Sequence, residues 1–230
     1  MVQLSERLKK VANFVKDQAI LADIGSDHAY LPAYLVKSGK IQRAIAGEVV
    51  KGPYESAVKN VQKEGLNQEI DVRLANGLQA IEEDDLVDTV TIAGMGGTLI
   101  STILENGNDR LSTVQRLITQ PNIHAIAIRR WAVQNGWKII DEAILKEDDK
   151  IYEIVVLERG NEAYTEKELL LGPVLMRECN PIFRDKWLRE MKEWHRILQS
   201  IEGATKHREI EAKRKQLQQQ IKYVQEVLTV

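Results

Sequence analysis

Leu21-Ala22-Asp23-Ile24-Gly25-Ser26-Asp27-His28-Ala29-Tyr30-Leu31-Pro32 decides the fold. An apolar run enters Asp-Ile-Gly, a short polar loop follows, and the next residues are able to begin a helix. This is the first strand, loop and helix of a nucleotide-binding α/β sheet, in which ligands sit where the carboxyl ends of parallel strands meet helix N-termini. The loop itself narrows the ligand. A dinucleotide fingerprint, Gly-x-Gly-x-x-Gly, needs further glycines, and here Asp27 and Ala29 hold the later glycine-like places. Asp27 would also repel a pyrophosphate. An acidic loop suits a ligand with a cationic amino-acid head and a sulfonium, and S-adenosylmethionine is such a ligand.

Outward from this segment the pattern alternates. Leu4, Leu8, Val11 and Val15 mark an amphipathic opening helix. Ile20–Ile24 is the first strand, followed by a helix to about Lys37 that Gly39 closes. Ala44-Ile45-Ala46-Gly47-Glu48 is a second buried strand ending on a carboxylate. Pro53 opens the next helix, where its missing N–H costs nothing, and Gly65 ends it. Ile70, Val72 and Leu74 alternate as a third strand. Residues 87–93 form a fourth that runs into Gly94-Met95-Gly96-Gly97, and a helix from about Thr98 to Leu104 follows. Residues 116–119 form a fifth strand, stopped by Gln120-Pro121-Asn122. A helix from His124 to about Asn135 ends at Gly136, and 137–140 and 151–157 are two last strands with no helix between them. The expected fold is a Rossmann-like α/β sheet of seven strands, mostly parallel, with one of the last two antiparallel. That ending is usual for class I methyltransferases.

Sheet periodicity stops after Gly160. Phe183, Trp187, Met191, Trp194, Leu198 and Ile201, then Ile210, Leu217, Ile221, Val224 and Leu228, recur at helical steps around Gly203-Ala204-Thr205. Two long helices folded back as an antiparallel coiled-coil hairpin account for both runs. The expected division is a ligand-binding domain over 1–160 and a helical domain over 161–230.

Composition bounds the function. The chain has 230 residues, 43% of them hydrophobic, enough for a packed core. Cys179 is the single cysteine, so no intrachain disulfide forms, and a reducing compartment fits. The opening residues are amphipathic and lack an apolar signal core, and no apolar run approaches a membrane span. A cytoplasmic protein that does not engage membranes is expected. The net charge of −2 argues against a general nucleic-acid binder, although 161–230 carries 13 Lys+Arg against 11 Asp+Glu. Four histidines and one cysteine without ligand spacing offer no metal cluster.

Candidate site residues follow from strand ends. Asp23 orients the loop or meets the ligand's amino group; otherwise it caps a turn. Gly25, Ser26, Asp27 and His28 form the loop, and His28 exchanges protons near neutral pH. Glu48 can accept both ribose hydroxyls of an adenosine. Asn76-Gly77 lies where an adenine would sit, though it is equally a good turn. Ala93, Gly94 and Met95 bring backbone close to a ligand, or form a flexible turn capped by glycine. Gln120-Pro121-Asn122 offers amide groups, Asn122 among them, to a base or is simply a turn, and Tyr30 stacks on a base or packs in the core. Lys206, Arg208, Lys213, Arg214 and Lys215 are the tail cations able to meet phosphate; a solvated face is their default.

Four of these motifs, in order, resemble one family. Asp-Ile-Gly-Ser-Asp-His-Ala-Tyr-Leu-Pro at 23–32, Ala-Gly-Met-Gly-Gly at 93–97, Gln-Pro-Asn at 120–122 and Lys-Ile-Tyr-Glu-Ile at 150–154 are similar to the bacterial tRNA adenine N1-methyltransferases of the TrmK type, which modify adenine twenty-two. The resemblance covers nearly the whole chain. It implies S-adenosylmethionine as cofactor, tRNA as partner, and a C-terminal coiled coil that helps to hold tRNA. Cofactor contacts then fall to Asp23, Gly25, Ser26, Asp27, His28, Glu48, Asn76, Gly77, Ala93, Gly94 and Met95. Catalytic roles fall to Asp27, His28, Tyr30 and Asn122. Substrate contacts fall to Tyr30, Met95, Asn122 and the tail cations. The family pattern has Asp-Gly where this chain has Asn76-Gly77, which keeps the acceptor oxygen. Tyr30, Met95 and Trp131 are the candidates for stacking on the target base. A monomer is favoured. The rival readings are a methyltransferase of another RNA or of a small molecule, a non-catalytic cofactor-sensing module, and an NAD-linked oxidoreductase, against which the missing glycines already count.

Overall fold

A computed structural model describes residues 3–201 and 208–229. Two compact units divide the chain, Met1–Ala163 and Tyr164–Val230. In the first, the strands are β1 (Ile20–Ile24), β2 (Arg43–Glu48), β3 (Ile70–Leu74), β4 (Thr89–Gly96), β5 (Arg116–Ile123), β6 (Trp137–Glu147) and β7 (Lys150–Arg159). The helices are α1 (Glu6–Phe14), α2 (Tyr30–Lys37), α3 (Lys51–Glu64), α4 (Gly97–Asn106) and α5 (Ile126–Gln134). All seven strands form one sheet in the order β3-β2-β1-β4-β5-β7-β6. The first five are parallel; β7 runs antiparallel to both β5 and β6.

This topology puts the strand order's reversal between β1 and β4, where crossovers leave on opposite sides and a crevice opens. Register sets what meets there. Asp23 lies beside Ala46 on one side and Thr91 on the other, Ile24 beside Gly47, and Glu48 beside Leu74. The central strands are buried on both faces and therefore read as continuous apolar runs. Val11, Ala12 and Val15 of the opening segment join Leu21, Leu31, Leu35, Ile118 and Val156 in one core.

Several elements depart from the sequence expectation. β5 is not stopped at Thr119 but continues through Gln120, Pro121 and Asn122 to Ile123. Pro121 is tolerated because pairing with β7 ends at Thr119, so no neighbour asks for its missing N–H from that side. β4 runs on to Gly96, with an irregular register against β5 around Met95. β6 reaches Glu147 rather than Ile140, bulged between Ile139 and Asp141. Asp148 and Asp149, both at positive φ (47° and 60°), close a two-residue hairpin to β7. Pro53 is the third residue of its helix, not the first.

The second unit contains two short helices that periodicity missed, α6 (Glu166–Leu171) and α7 (Pro173–Glu178), before the long α8 (Pro181–Ser200) and α9 (Arg208–Leu228). One turn or two is too short for a 3.6-residue pattern to register. The long pair is antiparallel. Arg184, near the start of α8, donates to the Leu228 carbonyl (3.2 Å), and Arg214, near the start of α9, reaches the Ile201 carbonyl (3.4 Å). Phe183, Trp187, Leu217, Ile221, Val224 and Leu228 are buried, whereas Met191, Trp194 and Leu198 are only half-buried. The apolar stripe is thus core at one end of the hairpin and partly solvated toward the other. Gly203, Ala204, Thr205 and Lys206 lie outside the described residues.

Candidate active site

Gly25 leaves β1 at φ +70°, and its N–H donates to the Gly47 carbonyl at 2.9 Å. A Cβ on Gly25 would lie 2.1 Å from the Met95 methyl, so another residue there would displace that side chain besides straining the backbone. Asp27, His28 and Ala29 then hold three successive positive φ angles of 41°, 63° and 54°. For residues with a Cβ each costs about 1–3 kcal/mol and persists only where surrounding bonds over-determine it. Those bonds are present. Ser26 Oγ donates to Asp23 (2.6 Å), Asp27 N–H donates to Glu48 Oε1, and Asn60 donates to the His28 carbonyl (2.8 Å).

Asp23 is 4% exposed. Its second carboxylate oxygen accepts from Thr91 Oγ1 at 2.6 Å, so it ties β1, its own loop and β4 together. Burial pushes its carboxyl up to about 6, against the pull of the Ser26 and Thr91 hydroxyls. Glu48 is also buried; desolvation raises it, and the Asp27 N–H opposes that rise. Around Glu48, Val49, Val50 and Leu74 are apolar yet exposed. The sequence reading missed these three, and also Thr91. The only signal for the two valines was an apolar pair placed directly after a strand-ending carboxylate.

Asn76 is exposed and makes no capping bond at the head of the 3-10 turn 77–80. Gly77 (φ +56°) packs against Ile103, where a Cβ would sit 3.0 Å away. His28 and Tyr30 stack at 5.2 Å with their planes 25° apart, and His28 Nε2 lies 3.5 Å from Asp27 Oδ1. Tyr30 is exposed, so it is not a core residue.

Across β4 lies a network of amides. Gly94 N–H donates to Gln120 Oε1 (3.0 Å), as does Arg7 Nη1. Gln120 Nε2 donates to Asn122 Oδ1 (3.3 Å), and Asn122 Nδ2 to the Gly94 carbonyl (2.8 Å). Gln120 is fully buried and supports Asn122, which is exposed at the strand end. Trp131 is not available for stacking on a base. It is 5% exposed, donates to Glu105 (2.9 Å) and packs against Trp137.

Of the tail cations, Arg208, Lys213 and Lys215 are exposed, whereas Arg214 is drawn to Glu211 (2.9 Å) and to Ile201. Lys206 lies outside the described residues. Among the described residues no group of three acidic, histidine or cysteine side chains is arranged to hold a metal, and no helix is long and apolar enough to cross a membrane.

A doubly wound sheet with strand-end carboxylates at Asp23 and Glu48, and no phosphate-cradling glycine loop, is the Rossmann-like fold of S-adenosylmethionine-dependent methyltransferases. The family model for tRNA (adenine(22)-N(1))-methyltransferase, TrmK, matches residues 21–226, and the chain belongs to that family. It is 44% identical to the tRNA (adenine(22)-N(1))-methyltransferase of Bacillus subtilis (strain 168), over 99% of this chain and 98% of that one. The crystal structure of the Bacillus subtilis m1A22 tRNA methyltransferase TrmK superposes with a TM-score of 0.93 at 42% identity, covering 99% of each chain. A Streptococcus pneumoniae protein crystallised in complex with S-adenosyl-L-methionine superposes with a TM-score of 0.89 at 47% identity, covering 98% of this chain and 100% of that one.

Proposed function

We propose that this protein methylates N1 of adenine 22 in tRNA, in the cytoplasm, with S-adenosylmethionine as donor. The observation that carries the reading is the loop after β1. It is held by two buried carboxylates, Asp23 and Glu48, that favour a cationic ligand and disfavour a pyrophosphate. The residues fit the cofactor. The loop around Gly25, Ser26, Asp27 and His28 holds its amino-acid end, and Glu48 holds the ribose hydroxyls. Val49, Val50 and Leu74, with Asn76-Gly77, offer an apolar slot with one amide for the adenine.

When bound, the cofactor supplies an electrophilic methyl group on a sulfonium. Adenine N1 is a neutral nitrogen with a free lone pair, so the protein need not remove a proton before attack. Its task is to align N1 with the methyl carbon and exclude water. Ala93, Gly94 and Met95 supply the backbone and side chain beside the transferred group. Asn122 presents Oδ1 to the N6 amino group, whose protons grow more acidic as positive charge reaches the ring. Tyr30 and Met95 flank the extruded base by stacking. Asp27 or His28, neighbours open to solvent, takes a proton from the methylated base afterwards.

The exposed cations Arg208, Lys213 and Lys215 reach tRNA phosphates. Reversing Lys213 and Lys215 to Glu is expected to weaken tRNA binding by roughly tenfold or more at low salt, with cofactor affinity unchanged. Filter binding and calorimetry read the two separately; loss of cofactor affinity would refute the assignment of separate roles. The reading as a whole is tested by transfer of labelled methyl to unmodified bacterial tRNA, followed by nucleoside analysis. 1-Methyladenosine that disappears when adenine 22 is replaced is the expected result. A protein that binds cofactor yet modifies no tRNA would point to another substrate or to a cofactor sensor.

A further inference from the structure

α1 precedes the residues matched by the family model, yet it carries a cation to the edge where the target base is held. It is anchored from two sides. Its buried Val11 and Ala12 join the core, and Glu147 at the end of β6 accepts from the N–H groups of Glu6 (2.6 Å) and Arg7 (3.3 Å) at the helix N-terminus. From there the Arg7 guanidinium lies 5.4 Å over the ring of Tyr152 and donates to Gln120 Oε1. Tyr152 and Glu153, neighbours on β7, therefore serve opposite faces: the first supports Arg7, the second is buried against Arg129.

An amide side chain can face either way, and only its partners decide. Here both ends of the chain of bonds are fixed by groups that cannot reverse. Arg7 and the Gly94 N–H are donors only, so the oxygen of Gln120 must face them. Its nitrogen then faces Asn122, which must answer with Oδ1, and Asn122 Nδ2 is left for the Gly94 carbonyl, an acceptor only. The outcome matters for adenine. Its Watson–Crick edge donates from N6 and must keep the N1 lone pair free. With Asn122 reversed, an N–H would meet the N6 amino group, donor against donor, an arrangement that suits the acceptor O6 of guanine instead.

The geometry points to Arg7 as a positioning residue that, together with the Gly94 N–H and through Gln120, holds the Asn122 amide with Oδ1 toward the base and so makes the pocket accept adenine. This rests on the reading of Asn122 given above. The test is single-turnover methyl transfer to tRNA by the full chain saturated with S-adenosylmethionine, for Arg7→Met, Asn122→Ala and the double variant. Asn122→Ala is expected to slow the step about tenfold or more and Arg7→Met about threefold or more, and the double variant to be no slower than Asn122→Ala alone. Cofactor Kd should stay within about twofold, and Arg7→Lys, which keeps donors, should recover most of the rate. Should Arg7→Met fold poorly, Gln120→Glu reports the same link, since it turns a carboxylate oxygen toward Asn122 Oδ1. It should slow transfer while leaving cofactor Kd within the same limit. Losses that multiply in the double variant would overturn the inference and leave the role of Asn122 standing. Full activity in Asn122→Ala would overturn the reading of the edge itself, and the inference with it.

Discussion

Replacing Arg129 with leucine is expected to destabilise the protein by about 3–5 kcal/mol, a large share of the stability of an ordinary domain. Arg129 is fully buried on α5. It donates to Glu142 on β6 (2.7 Å) and to Glu153 on β7 (2.8 Å), both nearly or fully buried. Burial alone would pull the guanidinium down; the two glutamates outweigh it and hold it above its ordinary value. Leucine would leave two neighbouring carboxylates facing one another in a dry interior without that cation. At roughly 2–4 °C per kcal/mol for a chain of this size, the melting temperature should fall by about 6–20 °C. Replacing all three residues by apolar ones of similar volume should recover most of the loss, because the desolvation of three charges disappears along with their attraction. Denaturant melts of the single and triple variants decide this. A single variant as stable as the parent would mean that the triad contributes nothing net. The same triad accounts for the glutamate in Lys150-Ile151-Tyr152-Glu153-Ile154, which ties β7 to α5.

Asp23→Asn should separate stability from function in the opposite direction. The Asp23 carboxyl lies at about 6 when folded, against an ordinary value of 3.8. A group raised on folding supports the folded state fully below its unfolded value and loses that support as pH rises through its folded value. At neutral pH the ionised, buried carboxylate therefore costs the protein about 3 kcal/mol, from about 1.4 kcal/mol per pH unit. Asparagine keeps the shape, and the Ser26 and Thr91 hydroxyls can rotate to serve an amide. The variant should be more stable than the parent above pH 6, by up to that amount, and should match it near pH 4. Cofactor affinity should fall by roughly 10–100-fold if, as proposed, the charge retained at this cost attracts the cationic end of the ligand. Urea melts from pH 4 to 8, with calorimetric titration of S-adenosylmethionine, check both halves. Lower stability at pH 7.5 would mean that the charge supports the fold. Unchanged affinity would mean that Asp23 only ties β1 to β4.

Much of the architecture was legible in the chain because strands buried on both faces read as apolar runs and glycines mark where each element stops. β1 was placed residue for residue, Glu48 fell at the end of β2, and Gly65 and Gly136 ended their helices at φ +71° and +74°. Errors came where a neighbour, not the local sequence, decided the outcome. Pro121 looked like a stop, yet it lies in β5 because β7 no longer pairs at that position. Asp141 and Glu142 looked like the end of a strand, yet they continue β6 because Arg129 from another element neutralises Glu142.

The candidate site divides in the same way. The loop of 23–30, the carboxylate at 48 and the amide at 122 follow from sequence alone, because strand ends in a doubly wound sheet converge whatever packs around them. That Trp131 lies in the core, that Thr91 shares the burden of Asp23, and that Arg7 reaches Gln120 across 113 residues of chain follow only from tertiary structure. Local sequence determines where backbone hydrogen bonds begin and end, and hence the elements and the ends of strands. It does not determine the partner of a buried charge or the direction an amide faces, because both are set by groups that folding alone brings within hydrogen-bonding distance.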